Sequence, residues 1–198
     1  PERLDDSFDK LCFALKNDIA SIREHARLIE AAERWRELNS DYFDILLMHN
    51  VKSPTWPTDL AALRDAFSEA KHKQIIRAHG CSGHGLLPVR AYPGTAWMDI
   101  ALMRVNHDGT RMDNLTDDAK QKGERAEVLG IMDKVRAQGT AILGMKLIGE
   151  GVFTTPEQRE ASIRAVFGKG LVSAATIGFK STAEIDEAIE RIDGALAG

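Results

Sequence analysis

The stretch Asp41-Tyr-Phe-Asp-Ile-Leu-Leu-Met-His49 decides the fold of this chain. Its four consecutive apolar residues, Ile45 to Met48, leave no polar position between them. Such a run predicts a strand that is buried on both faces, as in a parallel sheet covered by helices. His49 follows where this strand gives way to a loop. In a parallel β/α barrel, the carboxyl end of a strand is where the chemistry takes place.

Strand-like and helical segments alternate along the rest of the chain. Strands are predicted over residues 10–16, 41–49, 75–81, 98–105, 141–148 and 171–178. Helices are predicted over residues 19–38, 60–70, 86–92, 119–138, 156–167 and 182–196. Thr58 is the expected N-cap of the second helix, Gly139 the C-terminal stop of the fourth, and Pro156 lies in the first turn of the fifth.

Repeated strand–helix units predict a parallel sheet with right-handed crossovers. Six units fit a parallel β/α (TIM-type) barrel that is incomplete at its N-terminus, and they also fit a doubly wound sheet. Periodicity alone does not choose between the two. Because no linker, repeat or low-complexity tract interrupts the pattern, residues 1–198 are expected to form a single domain.

Composition narrows the function classes. The chain has 198 residues, of which 43% are hydrophobic and 28% charged, and its net charge is -4. It therefore has no overall basic field that would attract nucleic acid. No apolar run approaches the roughly 20 residues that a membrane-spanning helix needs. We expect a cytoplasmic protein without nucleic-acid or membrane partners.

The two cysteines, Cys12 and Cys81, lie in apolar strand-like segments and are expected to be buried and reduced. His79, Cys81 and His84 form the one cluster that suggests a metal. A catalytic zinc site needs three protein ligands in suitable geometry. His79 and Cys81 share a strand face and His84 follows in a loop, so no metal site is expected.

Four phrases in order resemble the aldo-keto reductase family. The first is the 38–49 segment that ends in His49, and the second is Ile75-Ile-Arg-Ala-His-Gly-Cys-Ser82. The third is Gly144-Met-Lys-Leu-Ile-Gly-Glu-Gly151, and the fourth is Thr176-Ile-Gly-Phe-Lys-Ser-Thr-Ala-Glu-Ile185. They resemble the ends of the fourth, fifth, seventh and eighth strands of that family's barrel.

The resemblance implies an eight-stranded β/α barrel that binds NADPH and reduces a small carbonyl substrate. It makes His49 and Lys16 the catalytic candidates, with His49 orienting the substrate carbonyl and Lys16 lowering the pKa of a neighbouring phenol. Ser82 is expected to bond the nicotinamide carboxamide, although it also reads as a turn or N-cap serine. Asn106 and Arg104 are expected to line the pocket, Asn106 on the cofactor side.

The segment Lys180-Ser-Thr182 opens the last predicted helix, where a lysine and hydroxyls favour a phosphate. The resemblance implies the adenosine 2′-phosphate of the cofactor at this place. An N-cap with an exposed lysine is the alternative. The acidic stretch Glu184-Ile-Asp-Glu187 weakens the preference for NADPH and leaves NADH open.

Other positions depart from the family pattern. Its catalytic tyrosine and aspartate follow the second barrel strand, which would precede Pro1. Tyr42 and Tyr92 are the chain's two tyrosines, and neither fits the acid role. Leu102 replaces a glutamine and Met145 an aromatic ring. The alternative to a reductase is therefore a non-catalytic barrel fragment or interaction scaffold. Its open strand edges, at residues 11–15 and 171–177, predict either a homodimer or a missing N-terminal segment that covers them.

Overall fold

All the strands that the structure describes run parallel and follow chain order in one sheet. The computed structural model describes the backbone of Phe13–Lys16 and residues 42–118 and 120–198. The strands are β1 (Phe13–Lys16), β2 (Phe43–Val51), β3 (Ile76–Gly83), β4 (Ile100–Arg104), β5 (Ala141–Met145) and β6 (Ala174–Ala175). Their order in the sheet is β1-β2-β3-β4-β5-β6. A doubly wound sheet reverses its order at a switch point, so this uninterrupted order excludes that alternative and confirms the barrel-type α/β fold.

Helices cover one face of this sheet. They are α1 (Trp56–Asp59), α2 (Ala61–His72), α3 (Leu86–Val89), α4 (Arg125–Ala137), α5 (Pro156–Val166) and α6 (Thr182–Ala197), with a 3₁₀ turn at Gly149–Gly151. Right-handed crossovers that all proceed in one direction place every helix on the same side. The strand residues that pack into the core beneath the helices include Met48, Cys81, Ala101 and Ile142.

The residues that follow these core residues along their strands lie side by side in the sheet. With the last residue of β1 and one residue of β6, they form one register row: Lys16, His49, Ser82, Leu102, Leu143 and Ala174. Successive side chains of a strand point to opposite faces. Because the neighbouring row packs beneath the helices, the side chains of this row from His49 onward face the interior of the barrel.

Gly80 allows β3 and β4 to approach closely. It pairs with Leu47 on one side and Ile100 on the other, one layer below the register row. A Cβ at this position would lie 1.7 Å from the carbonyl oxygen of Ile100 and 2.7 Å from its carbonyl carbon. No side chain fits there, so glycine sets the spacing on which the alignment of Ser82 with Leu102 depends.

Helix α4 begins at Arg125, six residues later than the sequence predicted, while Ala119 itself lies outside the described residues. The residues just before Arg125 contact the loop that follows β4 and are not helical. The backbone N–H of Gly123 donates to the carbonyl of Gly109, and a Cβ at Gly123 would lie 2.5 Å from that of Met112. The predicted stop of this helix is correct: Gly139 has φ +89° and its N–H donates to Arg136.

The expected N-cap at Thr58 is wrong, because Thr58 lies inside α1. That short helix begins at Trp56, two residues earlier, with Pro57 in its first turn, where a fixed φ and a missing N–H are tolerated. Helix α2 follows from Leu60 without a side-chain cap. Helix α5 begins as predicted, with Pro156 in its first turn and Thr155 forming a capping box with Gln158.

Two further segments differ from expectation or fall outside the structure. Strand β6 has two residues, rather than spanning residues 171–178, and pairs with Leu143 and Gly144 of β5. The predicted 19–38 helix and Cys12 lie outside the described residues. Cys81 is buried and free, as expected. Among the described residues, no helix has the length and apolarity needed to cross a membrane.

Candidate active site

The polar members of the register row lie side by side at the carboxyl ends of neighbouring strands. His49 of β2 pairs with Ser82 of β3, and on its other side it pairs with Lys16, the last residue of β1. The sequence therefore brings the two catalytic candidates and one cofactor candidate to the same level of the sheet. The ring of His49 also lies edge-on to that of His84, with 5.6 Å between their centroids.

Ser82 carries a hydroxyl that needs a partner. The residue is fully buried at 0% exposure, and its Oγ has no hydrogen-bond partner among residues 42–118 and 120–198. A buried hydroxyl without a hydrogen bond costs about 1–3 kcal/mol. Such an atom in the barrel interior is an unfilled contact point for a polar ligand.

Charged side chains form a network at the carboxyl end of β4, around Arg104. Arg104 Nη1 donates to Asp113 Oδ1 at 2.9 Å and lies 3.7 Å from Asp117, and Arg104 Nη2 lies 2.6 Å from His84 Nδ1. Asp117 also pairs with Lys52 at 3.4 Å. The side chain of Asp113 is 1% exposed, so the network is anchored within the protein.

Burial shifts the protonation of two members of this network. It raises the pKa of Asp113 to about 6, although the positive charge of Arg104 opposes the shift. Burial lowers the pKa of His84 to about 4, and the neighbouring Arg104 lowers it further. At neutral pH, His84 is therefore an uncharged ring beside a permanent cation.

Asn106 organises the loop that follows β4. Its Nδ2 donates to the carbonyls of Thr110 and Lys146, and its Oδ1 accepts from the backbone N–H groups of Asp108 and Gly109. Four hydrogen bonds use the full capacity of this amide. A contact between Asn106 and a cofactor, which stays a prediction, would require one of these bonds to be exchanged.

A cavity of about 730 Å³ runs from the end of β5 to the start of α6. Its lining includes both charge signs, with Lys146, Arg159, Lys180 and Arg191 beside Glu150, Glu184 and Glu187. Met145, two residues beyond the register row on β5, also lines it. The cavity therefore lies against the segment for which the sequence predicted a phosphate, and its lining includes no residue of the register row from His49 onward.

The start of α6 is capped by its own residues. Ser181 is the N-cap and accepts from the N–H of Glu184, and the Glu184 carboxylate accepts from the N–H of Lys180 at 2.8 Å. Thr182 is the first helical residue. The alternative reading of this segment, an N-cap beside an exposed lysine, is therefore what the structure contains. Contact of Lys180, Ser181 and Thr182 with a cofactor stays a prediction.

Two solved structures share this architecture. One is an aldo-keto reductase from Bacillus halodurans in its holo form, with 15% identity, a TM-score of 0.69, and coverage of 92% of this chain and 67% of its own. The other is an aldo-keto reductase from Klebsiella pneumoniae in complex with NADPH, with 13% identity, a TM-score of 0.63, and coverage of 92% and 64%. The chain has the aldo-keto reductase fold.

The chain spans about two thirds of the length of these two reductases. No protein-family model matches its sequence, and no curated protein matches it. The similarity therefore rests on the path of the backbone.

Both tyrosines lie away from the register row. Tyr42 precedes β2, at the opposite end of that strand from His49, and Arg77 lies over its ring at 3.9 Å. Tyr92 is fully buried and packs against Trp56, and its hydroxyl accepts from the N–H of Gly83. Among the described residues, neither tyrosine occupies the position of an acid at the register row.

The sequence cluster of His79, Cys81 and His84 does not come together. His79 stacks on Trp97 at 4.3 Å on the helix-covered face, whereas His84 contacts Arg104 and His49. Within the described part of the chain, no three His, Cys, Asp or Glu side chains form a group that could hold a metal. Sequence reasoning missed the pairing of His84 with Arg104 and the burial of Asp113, because both depend on contacts between separate loops.

Proposed function

We propose that this chain carries the nicotinamide-dependent carbonyl reductase site of its fold, acting on an aldehyde or ketone. One observation carries the proposal. Lys16, His49 and Ser82 occupy one register row across three neighbouring strands, near the carboxyl ends of the sheet, and the cavity lies beyond the carboxyl end of β5 in the same sheet. In β/α barrels, this end of the sheet holds the catalytic groups.

The residues fit a nicotinamide cofactor. The buried Ser82 hydroxyl, without a partner among the described residues, suits a carboxamide, which both donates and accepts. The cavity of about 730 Å³ lies within the range of small-molecule and cofactor sites, roughly 300–1,000 Å³. When bound, the cofactor would supply the hydride.

The chain itself would position and polarise the carbonyl. His49, at the end of β2, is placed to donate a ring N–H to the carbonyl oxygen as negative charge develops there. Lys16, its register partner, would add positive charge at the same level. Arg104 and Asp113 would hold the mouth of the site in one arrangement through their 2.9 Å contact.

NADPH is the cofactor that we propose from the resemblance, and the reductase from Klebsiella pneumoniae is in complex with NADPH. NADH is the alternative, because the Glu184 carboxylate accepts from the start of α6, where a 2′-phosphate would lie. Two negative groups at one helix N-terminus repel each other. Titrations with NADPH and with NADH under the same conditions show which of the two cofactors the chain binds more tightly.

Fluorescence titration of the purified chain with NADPH and NADH tests the proposal. The variant Ser82→Ala should bind the preferred cofactor about fivefold to tenfold more weakly, the effect of one lost hydrogen bond. Its free energy of unfolding should not fall, because the hydroxyl has no partner among the described residues. Ser173→Ala, which removes an exposed hydroxyl of the same kind, is the matched control. An absence of saturable binding at millimolar cofactor would contradict the proposal.

A second candidate function is a non-catalytic barrel scaffold. The positions of Tyr42 and Tyr92, both away from the register row, favour it. The gene sequence upstream of Pro1 distinguishes the two candidates. A segment of the pattern D-x-A-x-x-Y there would supply the tyrosine and the aspartate and favour the enzyme, and a start codon there would favour the scaffold.

We propose that a small carbonyl compound is the substrate, and that a second copy or a further N-terminal segment covers the open side. Ile185, Ile189 and Leu196 of α6 are exposed, as is Ala174 in β6. Apolar surface of this kind marks an interface. No nucleic-acid or membrane partner is proposed, and the net charge of -4 agrees with that. For location we propose the cytoplasm.

A further inference from the structure

The protonated nitrogen of His84 can be assigned from its neighbour. Arg104 Nη2 lies 2.6 Å from His84 Nδ1, and a guanidinium has only donors. Nδ1 must therefore accept the hydrogen bond, so the ring is neutral and carries its proton on Nε2. Burial of the ring, which lowers its pKa to about 4, agrees with this.

The partner that fixes His84 is itself fixed. The Arg104 side chain is 11% exposed, and its Nη1 donates to Asp113, whose side chain is 1% exposed. Arg104 lies on β4 two residues beyond Leu102 of the register row, and its register partner on β5 is Met145. Arg104 is therefore on the same face of the sheet as the register row, one layer closer to the carboxyl end. The Arg104–Asp113 ion pair therefore fixes the orientation of the His84 ring through Nδ1. A hydrogen bond to one ring nitrogen of a histidine commonly orients the other nitrogen toward a ligand.

His84 presents its remaining donor at the proposed site. It lies two residues beyond Ser82, and its ring is edge-on to His49 with centroids 5.6 Å apart. No described residue accepts a hydrogen bond from its Nε2. Two imidazole rings at this spacing can contact two oxygen atoms on neighbouring carbons of one small molecule.

We propose that His84 is a specificity-determining residue that donates Nε2–H to a second oxygen atom, carried on the carbon next to the reacting carbonyl. The substrates would be α-oxygenated aldehydes or ketones. This inference rests on the proposed function, because it places the reacting carbonyl at His49. A neutral imidazole suits this role, because it donates one hydrogen bond but carries no positive charge that would bind anions unselectively.

The test uses two probes that differ at one position. Hydroxyacetone has a hydroxyl where butan-2-one has a methyl group. Each is titrated into the full chain in the presence of oxidised cofactor, which has no hydride to give to the carbonyl, and ¹⁵N-edited NMR of the histidine rings follows the binding. Hydroxyacetone should bind about tenfold more tightly, the effect of one hydrogen bond. It should shift the Nε2 resonance of His84.

The variant His84→Phe should abolish the preference and leave the affinity for butan-2-one within about twofold. His72→Gln alters an exposed histidine on α2 and should change neither affinity. A His84→Phe chain that keeps the preference would overturn the inference, as would a cationic or Nδ1-protonated His84 at pH 7. If His84→Phe does not fold, the wild-type tautomer and the Nε2 shift decide.

Cofactor binding is measured separately from these titrations. If the cofactor does not bind, the proposed function fails, and the two probes are compared on the chain alone. If the cofactor binds and both probes bind equally, the reductase proposal stands and the inference about His84 is wrong.

Discussion

Replacement of Gly80 by alanine should destabilise the fold strongly. The added Cβ would lie 1.7 Å from the Ile100 carbonyl oxygen and 3.2 Å from Leu47 Cδ2. Overpacking of a core usually costs about 1–3 kcal/mol, because side chains can rotate away. Here the obstacle is the backbone of β4, which cannot rotate away. We therefore expect a loss of at least about 3 kcal/mol, a large part of the roughly 5–15 kcal/mol that stabilises a typical domain.

The same substitution in helices should have the opposite effect. Gly130 of α4 and Gly194 of α6 have no atom within 4 Å of the position that a Cβ would take. Alanine in a helix interior is favoured over glycine by about 0.5–1 kcal/mol. Gly130→Ala and Gly194→Ala should therefore stabilise the chain slightly, which makes them matched controls for the methyl group itself.

Urea unfolding followed by far-UV circular dichroism measures all three variants. The midpoint should fall for Gly80→Ala and rise for the two helix variants, with similar slopes. If the free energy of unfolding of Gly80→Ala lies within about 1 kcal/mol of the wild-type value, the close approach of β3 and β4 does not require glycine at this position.

Two further predictions concern protonation and reactivity. The pKa of Asp113 is raised from 3.8 to about 6, so the native state binds this proton more tightly than the unfolded state, and the group's contribution to stability is lost as pH rises between these values. Between pH 4 and pH 7, the stability of Asp113→Asn relative to wild type should rise by about 2.4 kcal/mol, at 1.36 kcal/mol per pKa unit, and equal pH dependence of the two chains would contradict this. Cys81 is fully buried with its pKa raised to about 12, so peptide mapping after thiol labelling at pH 8 should find it modified only in urea, and its labelling in the native chain would disprove the burial.

The strands and their carboxyl ends could be predicted from the sequence because burial on both faces leaves a local signature. The apolar run before His49 is one example, and the strand that ends at Ser82 is another. Alternation then places both residues on one face once the strands pair in order. The order itself needed the resemblance or the structure, because periodicity does not distinguish a barrel from a doubly wound sheet.

The loops could not be predicted in the same way. The late start of α4 depends on Gly123 packing against Met112, a contact between residues that the sequence places in different elements. Arg104 was expected to line the pocket. Its role in fixing the proton of His84 arises because the loops after β3 and β4 meet at Asp113. Such roles depend on distances between segments, which no local pattern encodes.

The order of the strands has a consequence for how the chain reaches its structure. Each described strand pairs with the strand nearest to it along the chain, and no pairing among the described strands joins the first to the last. Contacts of short sequence separation form early, because the loops that they close are small. We expect folding to start within the β2–β5 region and to extend outward unit by unit, so that His49 of β2 and Ser82 of β3, the candidate site residues, come together before either end of the sheet is complete.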